Sequence, residues 1–165
     1  ERLLFELADR DDALVRTWMQ DLKQKGMYAL PQSAINELKQ TFSAGWCTEE
    51  DTLHIIKRVF EETGYLMDPH TAVAQCVYER YAERTGDNAK TVLLSTANPY
   101  KFASDVLSAF EVAGEDDFEN AARLKELTGA QIPKAMSELK GKPELHHDVC
   151  ALDEMPKRVL SPILK

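Results

Sequence analysis

One segment of this sequence has the pattern of a buried strand, whereas the other apolar residues are spaced as in helices. Residues 91–97 are rich in β-branched and apolar side chains, and Asn88 and Pro99 flank them. Shorter strand candidates lie at 27–30 and 147–151. A lone buried strand cannot satisfy its own backbone hydrogen bonds. We therefore predict an α/β fold with a central strand at about 91–97 whose partner strands lie outside this sequence; the alternative is that the segment is a loop.

Helical spacing dominates the rest of the chain. Apolar residues three or four positions apart form stripes over 14–22, 35–42, 53–60, 73–81 and 102–113. Glycines follow the amphipathic runs, where a helix commonly ends in a left-handed residue, at Gly26, Gly45, Gly64, Gly86, Gly114 and Gly129. Short polar caps signal helix starts at Thr48, Asp68 and Asn98, the last two followed by proline. A final helix is predicted from about Asp153.

Charge and cysteine content exclude several classes of partner. The net charge is −8, which disfavours nucleic acid and anionic membranes because both require concentrated Lys and Arg. No stretch approaches 18 uncharged apolar residues, so no membrane span is predicted. Three widely separated cysteines do not form a disulfide framework and favour a reducing cytoplasm; they are Cys47, Cys76 and Cys150.

The start of the chain differs from that of an unprocessed reading frame. It opens on Glu1-Arg2-Leu3-Leu4-Phe5, with no initiator Met and no signal peptide. The 165 residues are close to one domain length. We therefore expect a single unit, residues 1–165, that is a piece of a longer chain whose N-terminal part is absent.

The sequence lacks most of the motifs that are typical of catalytic or metal-binding sites. No two glycines are close enough to form a phosphate-binding loop, and neither C-x-x-C nor H-E-x-x-H occurs. His146 and His147 are adjacent residues without a Cys or His partner at ligand spacing, so we interpret them as surface histidines and predict no metal site. Cys76 falls among apolar neighbours in a helical stripe and is predicted to be a small buried hydrophobe.

Two segments remain that composition does not explain. In residues 63–73 a helix ends, and a new helix begins with Asp68 as its cap and Pro69 in its first position. In residues 93–102 the predicted strand ends in Ser95 and Thr96 before a turn opens a helix. Ligands of α/β sheets bind beyond the carboxyl ends of strands. The two hydroxyl residues therefore either contact a ligand or simply end the strand, and residues 63–73 are either functional or only a well-made helix start.

Together, these segments resemble the threonine synthase family. That family carries a Gly-Tyr-Leu-x-Asp-Pro-His-Thr-Ala-Val stretch, here 64–73, and a Leu-Ser-Thr-Ala-x-Pro-x-Lys-Phe stretch, here 94–102. The opening residues 1–5 are similar to the family's Asn-x-Glu-Arg-Leu-Leu-Phe, and 132–134 and 150–155 fit its tail, so the resemblance covers nearly the whole chain. Asn98 is a departure, because many relatives carry His or Ser there.

The resemblance implies a helix-rich C-terminal fragment of a fold-type II pyridoxal-phosphate enzyme, similar to the tryptophan synthase β chain. Threonine synthase is a carbon–oxygen lyase that converts O-phospho-L-homoserine and water to L-threonine and phosphate. In this family the Schiff-base lysine and the phosphate loop precede the region seen here. We therefore expect residues 1–165 to belong to the large, cofactor-binding domain, with no catalytic residue of their own, and to neither hold pyridoxal phosphate nor turn over alone.

The resemblance also implies a role for one hydroxyl. Enzymes of this class place a neutral hydroxyl against the pyridine nitrogen of the cofactor. Motif position assigns that hydroxyl to Thr96, with Ser95 as the alternative. Lys101 lies in a first helical turn, and the family pattern argues against its being the Schiff-base lysine.

Two other interpretations of the sequence compete with a threonine synthase fragment. One is a non-catalytic, acidic helical domain that binds a partner helix in a groove between apolar stripes. The other is a fragment of a different fold-type II enzyme, such as a serine or threonine dehydratase. The stretch at 68–73 argues against the dehydratase, because that stretch is associated with the synthase.

Overall fold

Helices provide the regular secondary structure of residues 1–145 and 147–161, which are the residues described by the structure, a computed structural model. The α-helices in chain order are α1 (Arg2–Leu7), α2 (Asp12–Lys25), α3 (Gln32–Thr41), α4 (Glu49–Thr63), α5 (Pro69–Thr85), α6 (Ala103–Ser108), α7 (Asp117–Thr128), α8 (Lys134–Ser137) and α9 (Met155–Leu160). Two 3-10 turns, Pro99–Phe102 and Leu152–Glu154, precede α6 and α9. Within the described ranges, no helix is both long and apolar enough to cross a membrane.

The predicted caps determine where the central helices begin. Thr48 and Asp51 form a reciprocal capping box at the start of α4. Asp68 caps α5 and Pro69 occupies its first turn, as the sequence predicts. The final helix, predicted from about Asp153, is found as the turn Leu152–Glu154 followed by α9; residues 162–165 lie outside the described residues.

Four of the six glycines predicted to end helices do so. Each of these four has a left-handed backbone, and they are Gly26, Gly64, Gly86 and Gly129. At Gly64, φ is +75°, so the chain can turn sharply out of α4 into the loop that leads to α5. The predictions for Gly45 and Gly114 are wrong, since α3 already ends at Thr41 and α6 at Ser108, and both glycines lie in loops.

The core lies between α4, α5, α6 and α7. Its largest fully buried apolar side chains are Ile56 of α4, Val106 and Leu107 of α6, and Leu124 of α7. Cys76 of α5 is buried in the same cluster, as predicted. The apolar stripes of the sequence face one another here, which is how amphipathic helices remove their apolar side chains from water.

The first three helices form a smaller cluster of their own. Helix α1 contacts both α2 and α3. Buried side chains in this part are Ala8, Trp18 and Ala34. The ring of Trp18 stacks on Tyr28, with 6.3 Å between the ring centroids. Tyr28 lies in the predicted short strand at 27–30, which is irregular in the structure.

The prediction of a central strand at 91–97 is also wrong, because these residues do not form a regular strand in the structure. Residues 91–96 form no ladder with any other described residue, and Val92 and Leu94 are 79% and 76% exposed. Residues 147–151 are irregular as well. The physical reason is that a strand needs a neighbour to accept and donate its backbone hydrogen bonds, and the described residues provide none. The strand pattern therefore does not produce a strand here.

Charged side chains connect α4 to α5 at the surface. Arg58 of α4 lies 2.6 Å from Glu79 of α5, and Asp51 of α4 lies 2.9 Å from Arg80 of α5. The backbone N–H and the hydroxyl of Thr48, together with the guanidinium of Arg80, lower the pKa of Asp51 from 3.8 to about 2. Asp51 therefore stabilises the folded state only while it is ionised.

We expect the free energy of unfolding to decrease as the pH falls from 3.8 to about 2, in part because Asp51 becomes protonated. The folded-state pKa lies below the unfolded value, so this stabilisation is complete above the unfolded pKa and is lost as the pH falls through the folded pKa. Urea unfolding across this range should show a shallower pH dependence for Asp51→Asn than for the natural sequence. Asp9→Asn, at an exposed position, is the matched control; equal slopes for Asp51→Asn and Asp9→Asn would contradict the assignment.

Candidate functional site

The two segments singled out by the sequence meet at one cavity of about 620 Å³. The loop after α4 forms one side, residues 95–98 and the 3-10 turn form another, and the loop after α7 forms a third. The lining residues are Gly64, Tyr65, Leu66, Ser95, Thr96, Ala97, Asn98, Pro99, Tyr100, Lys101, Ala130 and Gln131. A volume of this size suits a small organic ligand.

Asp68 is a buried carboxylate beside this cavity, and several neighbouring groups donate hydrogen bonds to it. Its side chain is 0% exposed. One carboxylate oxygen accepts the backbone N–H of His70 at 3.0 Å and lies 3.1 Å from Nδ1 of the same ring. The other oxygen accepts the hydroxyl of Thr71. Since a carboxylate only accepts, Nδ1 of His70 carries the proton in this contact.

These contacts determine the charge of Asp68. Burial by itself raises the pKa of its carboxyl group, but the hydrogen bonds from Thr71 and His70 outweigh burial and leave the pKa below its ordinary value. Asp68 is therefore ionised at neutral pH although it is buried. The His70 ring, which is exposed, packs on Phe102 with 4.9 Å between ring centroids, and so joins the start of α5 to the 3-10 turn.

Ser95 and Thr96, the two hydroxyl residues predicted to face a ligand, both line the cavity. The hydroxyl oxygen of Ser95 lies 3.3 Å from that of Thr71. The Thr96 hydroxyl has no hydrogen-bond partner among the described residues. The two neighbours therefore differ, because Ser95 is bonded to α5 whereas Thr96 is available to a ligand.

Asn98 and Tyr100 hold the 3-10 turn against the loop after α7. The side-chain oxygen of Asn98 accepts the backbone N–H of Tyr100 at 3.0 Å, so the residue that departs from the family pattern acts here as a cap. Tyr100 is buried, and its hydroxyl donates to the carbonyl of Ala130 at 2.6 Å. Burial raises the pKa of Tyr100, so its hydroxyl keeps its proton and stays a donor.

The residues that line the cavity carry a net positive charge. Lys101 is the one charged residue among those that line it, and none of the lining residues is acidic. Asp68 lies behind Thr71, with its oxygens already accepting hydrogen bonds. The cavity therefore offers neutral hydroxyl and amide groups and one ammonium group to a ligand, a combination that suits an anion better than a cation.

Sequence reasoning missed three members of this site. Thr71 belongs to the family stretch at 64–73, but nothing in its local sequence indicates that it contacts Ser95, which is 24 residues further along the chain. Tyr100 occupies an unspecified position of the family stretch at 94–102, so the sequence gives no role for its hydroxyl. The loop at 130–131 carries no motif at all. Their roles depend on tertiary contacts, which local patterns do not encode.

The predicted surface histidines lie far along the chain, after α8. His147 is exposed, and its Nδ1 lies 3.6 Å from Glu144. His146 lies outside the described residues. Among the described residues, no three His, Cys, Asp or Glu side chains are grouped so that they could hold a metal ion.

Comparison with known families and proteins gives consistent matches. A family model described as "Threonine synthase, C-terminal" matches residues 71–161, more than half of the chain. Threonine synthase of Saccharomyces cerevisiae is 33% identical over 156 residues, which cover 86% of this chain and 29% of that protein. Human threonine synthase-like 1 is 31% identical over 112 residues, which cover 68% of this chain and 15% of that protein. The chain thus spans less than a third of the length of these relatives.

Two solved structures resemble this one. The crystal structure of threonine synthase from yeast has a TM-score of 0.68 and 28% identity, and the match covers 99% of this chain and 32% of that one. The structure of PLP-bound threonine synthase from Brucella melitensis has a TM-score of 0.58 and 36% identity, with 79% and 26% covered. The fold-type II architecture expected from the sequence is supported at the level of this overall similarity.

We expect Asp68→Ala to lower the free energy of unfolding by about 3 kcal/mol. Loss of an ordinary helix cap costs about 1 kcal/mol, and leaving buried donors unpaired adds roughly 1–3 kcal/mol. Asp116→Ala is the matched control, because Asp116 caps α7 from an exposed position. Urea unfolding of both variants measures the difference. Equal losses would mean that the buried contacts of Asp68 add nothing to its role as a cap.

Proposed function

Since the chain belongs to the threonine synthase family, we propose that it forms the C-terminal part of an enzyme that converts O-phospho-L-homoserine and water to L-threonine and phosphate. The enzyme is a pyridoxal-phosphate-dependent lyase, and the chain contributes one side of its cofactor site. The observation that carries the proposal is that the two family motifs line or adjoin one cavity, and that its lining includes Thr96, whose hydroxyl has no partner among the described residues.

The proposal accounts for the unpaired extended segment. In the whole enzyme, residues 91–97 would pair with strands that lie outside this sequence, and residues 1–165 would complete the large, cofactor-binding domain. Such pairing requires backbone groups without partners, and residues 91–96 form no ladder with any described residue. The exposed apolar side chains of Val92 and Leu94 are also what a larger sheet and its neighbours would cover. We place the enzyme in the cytoplasm, in agreement with three free cysteines.

The hydrogen bonds of the two hydroxyl residues favour Thr96 over Ser95 as the residue that contacts the pyridine nitrogen. The Thr71 hydroxyl donates to the Asp68 carboxylate and also faces the Ser95 oxygen at 3.3 Å. Ser95 is therefore already in contact with α5, whereas the Thr96 hydroxyl has no partner among the described residues and can donate its proton to a nitrogen that accepts.

The residues of the cavity fit such a cofactor. When bound, pyridoxal phosphate supplies an electron sink for carbanion-like states of an amino-acid substrate. A carboxylate beside the pyridine nitrogen would keep that nitrogen protonated, but no lining residue is acidic, and Thr96 offers a neutral donor. With a neutral donor at the pyridine nitrogen, the ring withdraws less negative charge from the substrate. This favours the elimination and the addition of water that the proposed reaction requires.

The single ammonium group fits the proposed substrate. O-Phospho-L-homoserine carries a phosphate and a carboxylate, so it is an anion at neutral pH. Lys101 is the one charged side chain that lines the cavity, and it is positive. Its role in this proposal is to attract the anion toward the cavity, an effect that added salt weakens.

We expect Thr96→Val in the full-length enzyme to retain cofactor but to lower kcat by about ten- to a hundredfold. Valine keeps the β-branched shape, so what is lost is the hydrogen bond to a buried acceptor, worth roughly 1–3 kcal/mol, and each 1.4 kcal/mol is about a factor of ten in rate. Thr96→Ser should keep most of the activity. Thr91→Val, in the same extended segment, is the control and should behave as the natural enzyme does. Full activity of Thr96→Val, or an equal loss of activity in Thr96→Val and Thr96→Ser, would contradict the assignment of Thr96 as the residue that contacts the pyridine nitrogen.

We also expect this chain alone to neither bind pyridoxal phosphate nor form threonine, because the Schiff-base lysine and phosphate loop of the family precede this region. Titrating the chain with the cofactor and recording visible spectra tests this. A saturable band that disappears on substitution of one lysine within the 165 residues, with Lys101→Gln as the first variant, would overturn it.

A further inference from the structure

A chain of hydrogen bonds connects the cap of α5 to the segment that carries Thr96. Its members are Asp68, Thr71 and Ser95, of which the first two are 0% and 4% exposed. The Thr71 hydroxyl donates to Asp68, and Ser95 lies 3.3 Å from the same hydroxyl. In the part of the chain that the structure describes, this is the one hydrogen bond that joins residues 91–97 to any residue outside 87–98.

Two features make this chain of bonds rigid. Asp68 cannot rotate, because its oxygens accept from His70 and from Thr71 at the same time. Thr71 lies in the first turn of α5, so its own backbone is held by the helix. A hydroxyl in water exchanges among rotamers and water partners, whereas the buried hydroxyl of Thr71 is held by Asp68 and lies within hydrogen-bond distance of the Ser95 oxygen.

We propose that Asp68 and Thr71 are positioning residues for the cofactor ring, because they hold Ser95 against α5 and thereby direct the hydroxyl of Thr96 into the cavity. This inference rests on the proposed function and deepens it. Residues 91–96 form neither a turn nor a bend, and consecutive side chains of a chain that runs straight in this way point to opposite sides, so holding Ser95 on the side of α5 sets the direction of Thr96.

The test is a double-mutant cycle in the full-length holoenzyme. Thr71→Val breaks the connection to Ser95 and should lower kcat for O-phospho-L-homoserine about tenfold, with KM changed less than threefold. It should also shift the visible absorption and fluorescence of the bound cofactor. Thr71→Ser keeps the hydroxyl and should restore both readouts. Because Thr71 acts through Thr96, the Thr71→Val substitution should cost no further activity in a Thr96→Val background.

Thr52→Val is the matched structural control. Thr52 is buried in α4, and its hydroxyl donates to the backbone carbonyl of Thr48, away from the cavity. This variant should lose stability while kcat and the cofactor spectrum stay unchanged. Should Thr71→Val fail to fold, Ser95→Ala replaces it, because Ser95 is exposed in this chain and the substitution removes the same contact with Thr71. This variant should lower kcat severalfold, again only when Thr96 is present.

The outcomes separate this inference from the proposed function. Additive losses for Thr71→Val and Thr96→Val would overturn the positioning role, as would a Thr71→Val enzyme with the kinetics and spectrum of Thr52→Val. In either case an impaired Thr96→Val enzyme leaves the proposed function standing. A fully active Thr96→Val enzyme would instead remove the proposed cofactor contact, and the positioning role with it.

Discussion

The buried carboxylate of Asp68 is the interaction on which the geometry of the cavity depends. A charged group removed from water must be surrounded by donors. The local sequence provides them within three residues, from the backbone and ring of His70 and from the hydroxyl of Thr71. Satisfying Asp68 therefore fixes the start of α5, the direction of Thr71 and, through it, the position of Ser95. The other side of the cavity depends on the bond from Tyr100 to Ala130.

A second constraint is the unsatisfied backbone of residues 91–96. Their composition is that of a strand, yet the described residues offer no neighbouring strand, and the segment remains extended with Val92 and Leu94 exposed. Among the described residues, its one hydrogen bond to another part of the chain is the bond from Thr71 to Ser95. The segment thus carries the proposed cofactor contact at its end while leaving its ladder groups available. That is what we expect of a strand that belongs to a larger sheet.

How far the sequence predicts this structure depends on the range of each interaction. The cap at Asp68-Pro69, the helix end at Gly64 and the burial of Cys76 are local consequences of side-chain type and spacing, and the structure confirms them. The prediction of a strand at 91–97 is wrong because a strand must pair with a neighbouring strand, and a local sequence pattern does not show whether one is present. The contacts of Thr71 with Ser95 and of Tyr100 with Ala130 join residues 24 and 30 positions apart, and no local signal predicts them. The motifs indicated where the site lies, and tertiary structure determined how its hydroxyls differ.

The central claim is that Thr96, held in place from α5, donates to the pyridine nitrogen of the cofactor. The most direct measurement is the crystal structure of the full-length enzyme with pyridoxal phosphate bound. We predict that the hydroxyl oxygen of Thr96 lies within hydrogen-bond distance of the ring nitrogen, about 2.7–3.0 Å, while Ser95 stays bonded to Thr71. A carboxylate at that nitrogen, or a Thr96 side chain turned away from the ring, would contradict the account.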